Sequence, residues 1–312
     1  MAFVPECFHR NRIVASVAWL TAVLLAPSWG HASEKAFASP QEAANALVAS
    51  VRSGNIQDIV AVLGEDAKAI VSSGDDVADA AARKRFVDAY DARHEIRQAN
   101  DGASVLYIGE EDFPFPPPIV QDAGKWRFDT AAGIEEILDR RIGANELGAV
   151  KVLQSYVDAQ REYAEIDRDG KGPQYAQRIL SREGKQDGLY WPTAEGEPES
   201  PFGPLIVQAL AEGYRKKSDK PEPYHGYLFR VLTSQGKDAA GGERNYIAGG
   251  RMIGGFGLIA TPAEYGNSGV MTFVVDQGGI VFEKDLGADT ARVAKQIGSF
   301  NPDASWKRVD DQ

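Results

Sequence analysis

Cysteine is almost missing: the 312 residues contain one, Cys7. Histidine is nearly as scarce, with four, and basic residues are outnumbered, 34 Lys and Arg against 45 Asp and Glu for a net charge of −11. An excess of acid argues against nucleic acid and anionic membrane surfaces, both of which select basic patches. There is also only one extended apolar stretch, Ile13 to Ala26, interrupted by Ser16 and Thr21. It is shorter than the roughly 20 residues needed for a spanning helix.

That stretch belongs to a secretory signal. Arg10 and Arg12 supply the basic region before it, Pro27 ends it, and Gly30-His31-Ala32 places small residues at the cleavage-determining positions. Cleavage after Ala32 is expected, which leaves 280 of the 312 residues. Since residues 1–32 carry Glu6, Arg10 and Arg12, a net of +1, the mature chain is about −12. Cys7 would leave with the signal, so disulfides, thiol nucleophiles and cysteine–metal sites are excluded from the mature protein. A periplasmic or secreted protein is expected, without stable membrane insertion after signal cleavage.

The rest reads as α+β in two domains, 37–143 and 144–312, each opening on helices and closing on strands. Ser39-Pro40-Gln41-Glu42 has the form of a helix start, and Gly54 a helix stop. Asn55 caps a short second helix through Ile59, Val60 and Leu63. A third follows the polar Ser72–Asp76 turn and runs to about Arg93, with Ala80, Ala81, Phe86 and Tyr90 inward. Val105–Ile108 and Trp126–Phe128 read as strands; between them, prolines 114, 116, 117 and 118 keep Phe113 to Val120 extended. Helices over a small curved sheet make an N-terminal cone. A helix from Gly133 to Arg141 should break at Gly143. A longer one from Asn145 to about Ile166 should bury Leu147, Val150, Leu153, Val157 and Ala164, with Tyr156 and Tyr163 flanking. Leu205 to Gly213 reads as a short helix and Ala288 to Ile297 as a final one. Strands at 227–232, 256–260 and 270–275, then a hairpin turn at 276–279 into Ile280–Glu283, give a long helix on a four-stranded antiparallel sheet.

Several dense blocks carry a resemblance. Trp126-Arg127-Phe128-Asp129-Thr130-Ala131-Ala132-Gly133, Asp187-Gly188-Leu189-Tyr190-Trp191-Pro192 and Tyr224-His225-Gly226-Tyr227 resemble the bacterial DUF2950 family. So do Pro262-Ala263-Glu264-Tyr265-Gly266 with Ser268 to Phe273, and Glu283-Lys284-Asp285-Leu286-Gly287. The resemblance implies an exported protein of unknown function and brings no catalytic residues. In layout the N-terminal half is similar to NTF2-like cones, which implies a small-molecule pocket. The C-terminal half resembles the globular part of type IV pilins and pseudopilins. The apolar stem of those subunits is absent, so a soluble accessory is expected rather than a fibre subunit.

Candidate chemistry is sparse. Asp167-Arg168-Asp169-Gly170-Lys171-Gly172 resembles the start of a calcium loop, with Asp167 and Asp169 as oxygen donors. Lys171 and Arg178 stand where further oxygen ligands belong, so a polar turn is the better reading. His94, at a helix end, and His225, at a strand entrance, have no motif partners, and no G-x-S-x-G, H-E-x-x-H or Walker loop occurs. Asp129, Glu135, Glu136, Asp139 and Glu146 offer carboxylates, but Arg140 and Arg141 beside them favour a solvated ion-pair face. Gly249-Gly250-Arg251 precedes a strand and lacks a phosphate-binding helix. No catalytic residue and no cofactor are expected. Tyr190, Trp191, Tyr224, His225, Tyr227 and Arg251 stand as contacts for a ligand or partner, because aromatic residues in loops and at strand starts serve that role. The expected activity is non-catalytic binding of an envelope protein or small ligand. The alternative is a periplasmic hydrolase using acidic residues and His225.

Overall fold

The computed structural model describes residues 35–194, 196–215 and 221–309. The expected signal peptide, 1–32, and Cys7 with it, lie outside the described residues. No helix among the described residues is long and apolar enough to cross a membrane.

The first half stacks helices on a curved sheet. Helix α1 (Pro40–Ser53) is capped by Ser39, whose hydroxyl accepts from Glu42 N at 3.1 Å, while Glu42 reaches back to the Ala38 N–H at 2.9 Å. Asn55 caps α2 (Ile56–Leu63), each such cap being worth about 1 kcal/mol. A 3₁₀ turn at Glu65–Ala67 leads to α3 (Lys68–Val71), and Asp75 caps α4 (Asp76–Ala92). Ala80, expected inside, is exposed, and Asp79 is buried instead.

Strands β1 (His94–Gln98) and β2 (Ser104–Ile108) pair antiparallel along their length. β1 was not foreseen, because His94-Glu95-Ile96-Arg97-Gln98 shows little apolar alternation. The far edge of β2 is shared: β3 (Phe113–Pro114) takes one end and β4 (Ile119–Asp122) the other. Pro116, Pro117 and Pro118 between them offer no N–H to the ladder, so the strand bends there. β5 (Lys125–Phe128) closes the sheet as a hairpin with β4, and Phe37 bridges to Trp126 on its outer edge. Leu47, Ile59, Leu63, Ile119 and Phe128 fill one core, and Val48, Tyr90, Leu106 and Ile108 an adjoining one.

Helix α5 (Thr130–Ala164) then runs 35 residues unbroken, about 52 Å. The expected break at Gly143 does not occur. Asp129 caps the helix ahead of Thr130, and an interior glycine costs only about 1 kcal/mol, which burial at both ends of the helix outweighs. Its inward face also differs from expectation. Leu147 is 54% exposed, whereas Tyr156, Gln160 and Tyr163 are buried. Gly133 lets the helix approach the proline bend: a Cβ there would lie 2.6 Å from the Pro116 carbonyl carbon.

A loop-rich middle contains α6 (Gly203–Glu212). The second half follows with β6 (Tyr227–Leu232) and two small ribbons, β7 (Ser234–Gln235) with β8 (Arg244–Asn245), and β9 (Ile247–Ala248) with β10 (Arg251–Met252). Strands β11 (Gly257–Pro262), β12 (Met271–Asp276) and β13 (Phe282–Asp285), helix α7 (Thr290–Gln296) and strand β14 (Lys307–Arg308) complete it. The sheet order is β14-β13-β12-β11-β6, all antiparallel, so a short fifth strand joins the four expected. Tyr156, Val157, Phe256, Leu258 and Phe273 form the core between α5 and one sheet face. Leu232, Ile259, Val274 and Phe300 cluster separately, near Ile297.

Candidate functional site

A large opening lies in the first half, where α4, α1 and α5 meet the β2–β3 side of the sheet. The cavity is about 870 Å³, within the range of small-molecule sites. Leu47, Val51, Phe86, Phe115 and Ile137 form its apolar wall. The wall is kept in place by aromatic edges, Phe86 on Phe115 at 5.4 Å and Phe115 on Phe128 at 6.0 Å. The proline bend holds Phe115 there while preventing a regular strand from closing over it.

One end of the groove is polar. Ser73 and Asp79 are both buried, and the Ser73 N–H and hydroxyl donate to the Asp79 carboxylate at 2.9 and 2.7 Å. Arg141 on α5 donates to the Ile70 carbonyl and to Asn267 Oδ1. Burial pulls its pKa down, and Asp79 and Glu264 partly restore it. Arg83 on α4 reaches the next carbonyl, Val71 O, at 3.5 Å. Elsewhere on the rim, Arg140 pairs with Glu136 and lies 4.5 Å over the Phe113 ring, and Arg85, Glu110 and Glu111 are exposed lining residues. The Ser73 hydroxyl is committed to Asp79, and neither His94 nor His225 lines the groove. The arrangement can hold an apolar body and bind an acceptor at its arginine end; it presents no activated nucleophile.

Next to this polar end is a junction between the halves. Asp75, 1% exposed, caps α4 through Oδ1 and accepts the Tyr214 hydroxyl and the Gly226 N–H on Oδ2, at 2.9 and 3.0 Å. Gly226 has φ +74°, and a side chain there would run into Asn145 and Ser268. Its neighbour His225 is also left-handed, at φ +49°, a strained conformation for a residue other than glycine. The His225 Nε2 meets Glu212 at 2.8 Å, and its ring stands over Gly148, where a methyl group would lie 3.8 Å from Nδ1. Tyr224 packs edge-on at 4.2 Å, and burial, then the Glu212 charge, pushes its phenol up to about 12. Glu146 on α5 accepts from the Val270 and Met271 N–H groups at 2.9 Å each. The Tyr227 hydroxyl donates to Met271 O at 2.9 Å, and burial, reinforced by Glu146, raises its pKa well above the ordinary value.

The residues singled out from sequence therefore separate into three places. Tyr224, His225 and Tyr227 lie at the junction. Tyr190 and Trp191 lie near the far end of α5, about 25 Å along the helix. There Trp191 meets Tyr163 edge-on at 6.4 Å, and the Arg168 guanidinium lies over both rings. Arg251 joins Asp167 and Asp169: its guanidinium meets Asp169 Oδ2 at 3.2 Å and donates to Gly172 O. Asp167 accepts from the N–H groups of Gly172, Lys171 and Asp169, and its pKa is lowered chiefly by the Gly172 bond. A guanidinium thus stands against the loop from which a calcium site would be built. Among the described residues no three His, Cys, Asp or Glu side chains converge as a metal site would require. Of the acidic run, Asp129 caps α5 and Glu136 pairs with Arg140. His94 begins β1 and stacks on Tyr90 at 3.8 Å.

Sequence reasoning missed Ser73, Asp75, Asp79, Arg83, Arg141, Glu212 and Tyr214. The only signal was the Ser72–Asp76 turn, whose polar residues fit a solvated connection equally well. No curated protein and no solved structure matches the chain. A family model, described as protein of unknown function (DUF2950), matches residues 34–309, and the chain belongs to that family.

Proposed function

We propose that this protein is an exported, soluble accessory of the cell envelope that binds a small ligand without transforming it. The groove of about 870 Å³ carries the reading: mostly apolar walls with a few polar groups at one end are the usual form of a ligand site. A helix-covered curved sheet around that groove fits the NTF2-like layout. The long helix across an antiparallel sheet fits the pilin-like comparison for 144–312. With 37–143 and 144–312 read as two domains, most of the groove lining belongs to the first, and Ala144 and Asn145 of the second complete it. The groove gives the hydrolase alternative no support, since His225 does not line it.

The test is binding of the neutral apolar fluorophore N-phenyl-1-naphthylamine to the purified protein. Saturable enhancement is expected. Ala82→Trp, which fills the groove, should weaken binding by about tenfold or more, roughly 1.4 kcal/mol. Val207→Trp, on the exposed face of α6, should leave it unchanged. Equal affinity in both variants would place the fluorophore elsewhere and overturn the reading. Turnover on a broad panel of hydrolysable esters and peptides, lost in His225→Gln, would establish the alternative.

A further inference from the structure

The groove is not only apolar; arginines and carboxylates line it as well. Arg83 and Arg141 reach consecutive carbonyls, Val71 O and Ile70 O, at one end. Arg141 is balanced there by Asp79 and Glu264. Arg83 is not: it is half-buried, no carboxylate among the described residues pairs with it, and its one hydrogen bond is at the 3.5 Å limit. A guanidinium partly removed from water and left without an anion has unused binding capacity.

Farther along, the lining is mixed in charge, with Glu110 and Glu111 alongside Arg85 and Arg140. Gly109 N donates to Ala89 O at 3.1 Å, which places Glu110 and Glu111 near the end of α4, about 9 Å along the helix from Arg83. Both glutamates are exposed, as is Arg85, and Arg140 is paired with Glu136. Phe86 and Ala89 occupy the helix face between the two ends.

We infer that the groove takes a single-chain anionic amphiphile, its carboxylate or phosphate on Arg83 and its apolar chain running along Phe86 and Phe115 toward the Glu110–Glu111 lip. This rests on the ligand-binding reading above and adds the ligand's charge and orientation. The head group is drawn to Arg83 because no carboxylate among the described residues pairs with that guanidinium, and this sets the orientation of the chain. An uncharged chain would fill the apolar wall but leave Arg83 as it is.

The experiment is calorimetric titration of the purified protein with monomeric dodecanoate and with dodecanol, together with displacement of the neutral fluorophore. Dodecanoate should bind at least about tenfold more tightly than dodecanol. Arg83→Gln should reduce that preference to near parity, and Arg83→Lys should retain most of it. Lys84→Gln, an equal change of net charge on the exposed side of α4, should leave the preference intact. Unchanged melting temperatures confirm that the variants fold. Equal binding of dodecanol and dodecanoate, or equal loss in Arg83→Gln and Lys84→Gln, would overturn the inference and leave the groove reading standing. Failure of the wild-type protein to bind the fluorophore or either chain would overturn both.

Discussion

Asp75 and Tyr214 are 139 positions apart in sequence and 2.9 Å apart in the fold, with the tyrosine hydroxyl donating to the carboxylate. The same oxygen accepts the Gly226 N–H, and the other caps α4. One buried side chain thus ties the turn before α4 to the segment after α6 and to the entrance of β6. Asp75→Asn must turn an amide N–H toward one of these donors, and a buried unsatisfied group costs roughly 1–3 kcal/mol. The expected loss is about 2 kcal/mol in urea unfolding. Tyr214→Phe leaves the carboxylate two partners but also removes the acceptor of the His225 N–H at 3.2 Å, so its loss should be about 1–2 kcal/mol. No loss in Asp75→Asn would show that the carboxylate is not the centre of the junction.

Alkaline pH should destabilise the protein through its buried phenols. Burial raises the pKa of Tyr214, Tyr227 and Tyr246, and pushes Tyr224 from an ordinary 10.0 up to about 12. A group whose pKa is higher folded than unfolded contributes stability that is complete below the unfolded value and is lost as pH climbs through the folded one. Melting temperature should therefore hold to about pH 10 and fall between pH 10 and 12. Absorbance at the tyrosinate band should include a component from these four phenols that rises in step with unfolding.

Gly133→Ala sets two effects against each other. Alanine gains about 1 kcal/mol of helix propensity at an interior position. Its methyl group would collide with the backbone of Pro116 and Pro117, which cannot move aside as a flexible side chain can, and overpacking of that kind costs about 1–3 kcal/mol. A net loss of about 1–2 kcal/mol is expected. A stabilised variant would mean that α5 does not approach the proline bend this closely.

Gln160 is fully buried, yet all of its bonding groups are used. Its amide donates to Tyr156 Oη and Ala176 O and accepts from Ala176 N, each at 2.8 Å. Gln160→Leu would keep the volume and leave both Ala176 backbone groups without a partner. A loss of about 2 kcal/mol or more is expected. Amide exchange at Ala176 should accelerate more than global stability alone accounts for.

Local grammar made much of the fold legible. Ser39, Asn55 and Gly54 mark helix ends because capping depends on a few adjacent residues, and Asp276–Gly279 marks a hairpin for the same reason. The path of α5 was harder. Gly143 reads as a stop where nothing holds the helix, and only packing on both sides of it makes the helix continuous. Gln160 and Tyr163 continue the helical spacing of Ala149, Leu153 and Tyr156, but a polar amide in that series reads as surface until the loop that meets it is placed. The groove was legible only as a consequence of layout. Its chemistry was not, since Arg83, Asp79 and Arg141 look like ordinary helix-surface charges until the Ile70 and Val71 carbonyls are placed beside two of them.

The continuity of α5 also governs how the molecule can come apart. Ile134, Ile137 and Leu138 belong to the core beneath the groove, while Leu153, Tyr156 and Val157 belong to the core under the second sheet. Melting either end would fray a helix on which the other depends. A cut at Gly143 would leave both fragments with an exposed half-helix rather than a clean terminus. Thermal denaturation should therefore be one cooperative event, with calorimetric and van't Hoff enthalpies in agreement. Occupation of the groove would then raise the melting point of the distant sheet as well.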